Sequence, residues 1–269
     1  MLPVKAITIP DILQRKQQGE RITMLTAYDY TFARLIDAAG VEMILVGDSV
    51  GSVVSGYDNT LPVTMEEMLY HTRAVSRGTE RALLVADMPF LSYQVDGAEA
   101  RRNAGLLVKQ GGAHAVKLEG GEQIADTLRS IVAMDIPVVG HVGLTPQSVH
   151  RMGGFKVQGK QDEQAERILA DAHAVADAGA FAVVLECVPA PLAKRISEEL
   201  SIPTIGIGAG PDCDGQVLVI HDILGLCEKY SPKFVKRFAD IGDTVRGGIA
   251  DYIREVKDGS FPADEHSFR

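Results

Sequence analysis

Cysteine is scarce in this 269-residue chain: Cys187, Cys213 and Cys227 are the only three, and no CxxC pair occurs. An odd count without paired spacing excludes a disulfide framework and a thiolate metal cage, and fits a reducing, cytoplasmic setting. Long apolar runs are missing as well. The longest are strand-sized, far short of the roughly 20 residues that span a bilayer. Pro3, Lys5 and Pro10 interrupt the amino terminus where a signal sequence would run. Basic clusters are also absent. With 27 basic against 36 acidic residues the formal charge is -9, so neither nucleic acid nor an anionic membrane is an expected partner.

What the chain does have is a set of short apolar runs that break off at a carboxylate. Met43 to Asp48 (MILVGD), Leu83 to Asp87 (LLVAD), Ala115 to Glu119 (AVKLE) and Phe181 to Glu186 (FAVVLE) share this form, and Pro137 to His141 (PVVGH) ends at a histidine. Between them lie segments with helical signals. Thr64 and Glu67 make a capping box that opens a helix to about Arg77. Helices are also expected over Pro10 to Gly19, Thr31 to Ala39, Asp96 to Gln110, Gly121 to Met134, Gln161 to Ala178 and Pro191 to Leu200, several of them stopped by glycine. Strands at Ile22 to Asp29, Thr204 to Ile207 and Gln216 to His221 bring the count to eight, and a helical tail is expected over Pro232 to Lys257.

Continuous apolar strands alternating with helices mean a parallel sheet covered on both faces. Eight units in a chain of this length favour a single (β/α)8 barrel of the TIM type over residues 1–269, with the first helix closing its bottom, over an open doubly wound sheet. No interdomain linker or low-complexity segment interrupts it.

In a barrel those strand-end acids meet at the carboxyl-terminal rim. Two carboxylates about 4 Å apart repel by roughly 4 kcal/mol at an effective dielectric near 20. If Asp48, Asp87 and Glu119 converge, either some take up protons or a divalent cation sits among them, and an all-oxygen set suits Mg²⁺. Taken singly, each acid also reads as a helix cap or a solvated loop end. Lys117 lies two residues before Glu119 and points to the same side, into the barrel mouth. Glu186, on the far side, reads as a base or as one half of a local ion pair. His141 reads as a supporting catalytic group or as a structural histidine, and Cys187 as packing. The glycines of IGIGAG (Ile205 to Gly210) do not match a phosphate loop, because the third is misplaced. Leu144 to Lys160 is long for a strand-helix loop and carries Arg151, Lys156 and Lys160, which fits a mobile cover, a cosubstrate contact or a plain surface loop.

A wider set of strings carries a family likeness. TAYDY (Thr26 to Tyr30), VGDS (Val46 to Ser49), LPVT (Leu61 to Thr64), ADMPF (Ala86 to Phe90), VKLEGG (Val116 to Gly121), GHVGLTPQS (Gly140 to Ser148), LECVP (Leu185 to Pro189), IGIGAG and the terminal EHSF (Glu265 to Phe268) occur in that order along nearly the whole chain. Together they resemble the ketopantoate hydroxymethyltransferase family. The resemblance implies a barrel of the phosphoenolpyruvate and isocitrate lyase kind, and Mg²⁺-dependent transfer of a hydroxymethyl group from 5,10-methylenetetrahydrofolate to 3-methyl-2-oxobutanoate, giving 2-dehydropantoate for pantothenate and coenzyme A synthesis. It further implies that Asp48, Asp87 and Glu119 hold the metal, Glu119 through water, that Asp48, Ser49, Asp87 and Lys117 line the oxo acid, and that Glu186 accepts the proton. Large homo-oligomers, commonly decamers, are implied as well. Competing expectations are a metal-dependent lyase or mutase of a related 2-oxo acid, a Schiff-base aldolase using Lys117, and a noncatalytic oxo-acid-binding barrel.

Overall fold

The computed structural model describes residues 5–227 and 232–268; Pro3, one of the residues interrupting the amino terminus, lies outside them. The chain forms two compact units, residues 1–219 and 220–269.

In the first unit the order of elements is α1 (Ile9–Gln18), β1 (Ile22–Thr26), α2 (Tyr30–Ala39), β2 (Met43–Val46), a single turn α3 (Val50–Val53), α4 (Met65–Gly78), β3 (Leu83–Asp87), α5 (Gly97–Lys109) and β4 (Ala115–Glu119). There follow α6 (Ala125–Val132), β5 (Val138–Gly143), a second single turn α7 (Val149–Met152), α8 (Asp162–Asp177), β6 (Ala182–Glu186), α9 (Ala190–Glu199), β7 (Thr204–Ile207) and β8 (Gly215–Leu218). All eight strands are parallel, each pairs with the next, and β1 closes on β8. The closed eight-stranded barrel agrees with the sequence-based expectation, and no helix separates β7 from β8.

The lower barrel interior is apolar: Ile22 and Met24 from β1, Met43 and Leu45 from β2, Leu83 and Val85 from β3, Val184 from β6 and Ile205 from β7 pack into one cluster. Ile12 of α1 is wholly buried in that cluster, with Ile7 and Ile9 against it, so the first helix plugs the amino-terminal end. A capping box between Thr8 and Asp11 starts that helix, and the one expected between Thr64 and Glu67 starts α4. Burial of these side chains leaves the opposite end of the barrel for polar groups.

Several boundaries differ from expectation. Strand β1 stops at Thr26 rather than Asp29, because the Asp29 carboxylate accepts from the Phe32 amide at 2.8 Å and caps α2. Apolar content alone extends the strand past a residue whose side chain serves the next helix. Gly121 to Met134 begins with a 3-10 turn, Glu122–Ile124, before α6. Strand β5 runs on to Gly143, and β8 ends at Leu218 rather than His221.

In the second unit, α10 (Ile220–Ile223) is a short turn and α11 (Ile241–Asp258) an 18-residue helix. The helix expected from Pro232 begins only at Ile241. The amides of Phe238 and Ala239 donate to the Ile223 carbonyl and that of Ile241 to Leu224, so this stretch meets its backbone demand by pairing with an earlier segment instead of by coiling. Among the described residues, no helix is long and apolar enough to cross a membrane.

Candidate active site

Strand period carries the barrel interior upward in layers, and in the top layer the apolar residues give way to charge. On β4 the inward positions run Ala115, Lys117, Glu119; on β3 Asp87 stands in register with Lys117, and on β5 His141 stands in register with Glu119. Asp48 follows β2 by two residues. Asp48, Asp87, Lys117, Glu119 and His141 are all buried, whereas the Glu186 side chain, at the end of β6, keeps 15% of its surface exposed. Every site residue singled out from sequence therefore lies at one rim, and Lys117 and Glu119 point the same way as their spacing predicted.

Lys117 organises the cluster. Its ammonium is 3.0 Å from Asp87 Oδ1, 4.0 Å from Glu119 Oε1 and 2.9 Å from His141 Nδ1. Burial alone would strip its proton, but Asp87, Glu119 and Asp48 outweigh burial and hold its pKa above the usual lysine value. A charged lysine donates to Nδ1, so His141 carries its proton on Nε2, which lies 3.1 Å from Glu186 Oε2 but is not aligned with it as a hydrogen bond. Burial and then Lys117 hold His141 well below its usual pKa, in the neutral form.

The carboxylates respond differently. Burial is the main force raising Asp48, and Asp87 adds to it, while Lys117 and Gln147 oppose. Glu119 is raised well above its ordinary value by burial, against the pull of Lys117. Burial pushes Glu186 up to about 7, with Lys117 the opposing influence. Cys187, next in the chain, has a left-handed backbone (φ 49°), and its thiol is pushed up to about 12 by burial and by Glu186, so it stays protonated and inert.

One residue that sequence reasoning passed over ties the site together. Gln147, buried in the loop after β5, donates from Nε2 to Asp48 Oδ2 at 2.9 Å and to the Met88 carbonyl at 3.0 Å. Its backbone amide donates to Glu119 Oε2 at 2.9 Å, and its Oε1 accepts from the Tyr93 hydroxyl at 2.7 Å and from Gln94 at 3.2 Å. Tyr93 is itself fully buried, and Tyr28 places its hydroxyl 2.8 Å from that of Ser49. The available signals were the GHVGLTPQS string and the length of the loop; an uncharged amide gave no chemical flag.

The donor set suits a hard cation. The Asp48 amide donates to Asp87 Oδ2 at 3.0 Å, which brings the two acids together, and Asp87 Oδ1 is buried with no aligned hydrogen bond despite its ion pair with Lys117. Among the described residues, no three His, Cys, Asp or Glu side chains form a closed cage. Mg²⁺ needs none, because one or two carboxylates with water and substrate oxygens complete its octahedron. Glu119 has one oxygen engaged by Gln147 and the other beside Lys117 and His141.

The profile of the ketopantoate hydroxymethyltransferase family matches residues 6–264. The chain belongs to that family. It is 69% identical over 264 residues to a 3-methyl-2-oxobutanoate hydroxymethyltransferase of Syntrophotalea carbinolica, covering 98% of this chain and 99% of that one. It is 68% identical over 261 residues to the protein of the same name from Geobacter metallireducens, covering 97% and 98%. Membership makes the chain an enzyme, a hydroxymethyltransferase. Among solved structures it is similar to phosphonopyruvate hydrolase in complex with oxalate and Mg²⁺ (TM-score 0.63, 14% identity, 97% and 93% of the two chains). It is also similar to 2,3-dimethylmalate lyase, a member of the phosphoenolpyruvate mutase and isocitrate lyase superfamily (TM-score 0.60, 16% identity, 97% and 91%). At that identity the likeness establishes the barrel alone.

Proposed function

We propose that this family member transfers the one-carbon unit of 5,10-methylenetetrahydrofolate to C3 of 3-methyl-2-oxobutanoate, giving 2-dehydropantoate, with Asp48 and Asp87 as the direct holders of Mg²⁺ and Glu119 behind them through water. The observation that carries the reading is the state of Glu186: a carboxylate with a pKa of about 7, facing a neutral imidazole across 3.1 Å, at the strand end remote from Asp48 and Asp87. A general base works best when its pKa lies near the working pH, where it is both ionised and still proton-hungry.

The cation, once bound, supplies Lewis-acid charge to the ketone and carboxylate oxygens of a 2-oxo acid. Asp48, Asp87, Ser49 and Lys117 line the oxo acid, with the Ser49 hydroxyl steadied by Tyr28. Glu186 takes the C3 proton. The electron pair left behind delocalises onto the ketone oxygen, where the buried Lys117 ammonium offsets it. His141 contributes its neutral ring, the Nδ1 lone pair toward Lys117 and Nε2 close to Glu186 without an aligned hydrogen bond, so it sits beside the base without competing for the proton. Water adds to the one-carbon unit and releases tetrahydrofolate, C3 bonds to the carbon of the formaldehyde so formed, and its oxygen takes up a proton to become the new hydroxyl.

Deuterium exchange at C3 of 3-methyl-2-oxobutanoate in D₂O, followed by proton NMR with and without Mg²⁺, tests the first step without folate. Exchange is expected to require the cation, to rise as pH climbs through about 7 when Glu186 ionises, and to vanish in Glu186→Gln. Undiminished exchange in that variant removes Glu186 as the base. Addition of 5,10-methylenetetrahydrofolate should then yield 2-dehydropantoate; no product at saturating Mg²⁺ favours a lyase or mutase of a related oxo acid.

A further inference from the structure

We infer that a pocket beside the barrel mouth, between the ends of β4 and β5 and the first turns of α8, holds the anionic aminobenzoyl-glutamate tail of the folate cosubstrate. The inference rests on the reaction proposed above and adds the place where its second substrate is gripped. The pocket has a volume of about 350 Å³, within the range of roughly 300–1,000 Å³ typical of small-molecule sites. A five-carbon oxo acid is small for that volume, whereas an aminobenzoyl-glutamate group is closer to it in size.

Its floor is backbone that directly follows site residues. Gly120 and Gly121 come after Glu119, and Val142 and Gly143 after His141. Gly143 stands in register with Glu186, and its φ of 92° suits glycine; a Cβ there would lie 2.5 Å from the Glu186 carbonyl. The floor is therefore packed directly against the backbone of the base.

The rim is polar and locally cationic. Arg151 from the loop after β5 and Arg167 from α8 both line it, with Gln123, Gln164 and a single acid, Asp171. Asp171 already accepts from the Glu122 amide at 2.9 Å. Among the described residues, neither arginine has a carboxylate within salt-bridge distance, whereas Arg15, Arg34, Arg129 and Arg195 each do. Asp171 feels both arginines beyond salt-bridge distance, so two exposed guanidinium groups share one acid in this pocket, on a chain whose formal charge is -9. Guanidinium forks match carboxylates, and folate ends in two of them. The amides of Gln123 and Gln164 suit the peptide-like linkage next to that glutamate. With its tail fixed there, a folate reaches the mouth across Gly143, so the one-carbon unit arrives on the Glu186 side.

The test compares two donors in the same proteins: 5,10-methylenetetrahydrofolate, and 6,7-dimethyltetrahydropterin with formaldehyde, which lacks the tail. For Arg151→Gln, Arg167→Gln and the double variant, the KM of each donor is measured and their ratio taken, so that any general loss of activity cancels. The double variant should raise the ratio on the order of tenfold, the loss expected for charge-assisted hydrogen bonds. An unchanged ratio overturns the inference. If the native protein turns over neither donor, the proposed reaction falls, and calorimetric binding of tetrahydrofolate decides for the pocket: weaker binding in the double variant supports it, and equal binding overturns it.

Discussion

A Glu186→Gln protein loses the proposed base, but its fold should be more stable, by an amount that depends on pH. Burial lifts this carboxyl from 4.5 to about 7. An unfolded chain ionises it near 4.5, so between these values the native protein retains a proton that the unfolded chain has released. Native stability therefore declines as pH rises through that window. Above about pH 7 the decline is complete and corresponds to ~3 kcal/mol, at ~1.36 kcal/mol per pK unit. Below about 4.5 both states are protonated and the contribution vanishes. With only 15% of the side chain exposed, solvent screening takes little from this figure. Glutamine has the same length, keeps an oxygen toward His141 Nε2, and carries no charge to desolvate.

The assay is urea denaturation of native and variant proteins in chelator at pH 5 and pH 8, with chelator removing any cation that binds the acids. At pH 8 the variant should be the more stable by up to ~3 kcal/mol, and near pH 5 the two should converge. Equal stability at pH 8, or an advantage that does not grow with pH, refutes the claim that burial rather than a partner sets the Glu186 pKa.

Two other substitutions test the remainder of the cluster. Lys117→Met removes the ammonium 3.0 Å from Asp87 and should cost ~3–5 kcal/mol in the same assay at pH 8, because it strands buried carboxylates; the cost should shrink at pH 5 as Asp48 and Glu119, both raised by burial, take up protons, and a pH-independent loss counts against that cause. Gln147→Leu should weaken Mg²⁺ binding, measured calorimetrically, by roughly 10-fold or more, as removal of groups that orient metal ligands does; full affinity in that variant means Asp48 needs no orienting partner.

Most of the barrel was legible because its signal is local. Strands β3, β4 and β7 match their expected bounds residue for residue, since each is an apolar run closed by a polar residue or followed by glycine. The shared facing of Lys117 and Glu119 follows from a two-residue strand period and nothing else. Where a residue answers to two elements, local reading fails: Asp29 caps α2, and Phe238, Ala239 and Ile241 pair with Ile223 and Leu224. Gln147 shows the stronger form of this limit. It meets Asp48 across 99 residues of chain, so nothing near it in sequence shows that the loop folds inward.

That inward fold also explains why the residue is a glutamine. Nε2 has two protons and meets two acceptors, Asp48 Oδ2 and the Met88 carbonyl; Oε1 has two lone pairs and meets two donors, Tyr93 and Gln94. Rotating the amide by half a turn would set oxygen against both acceptors and NH₂ against both donors, so its orientation is locked. A glutamate there would add a fourth carboxylate to Asp48, Asp87 and Glu119, all served by one lysine, and an asparagine is too short to keep the backbone contact to Glu119 while reaching Asp48. The charge of the site is thus held by Lys117, but its geometry by an uncharged side chain whose five hydrogen bonds, one through its backbone, connect the β5 loop to both ends of the acid cluster. A shift of that loop therefore moves its contacts to Asp48 and Glu119 together.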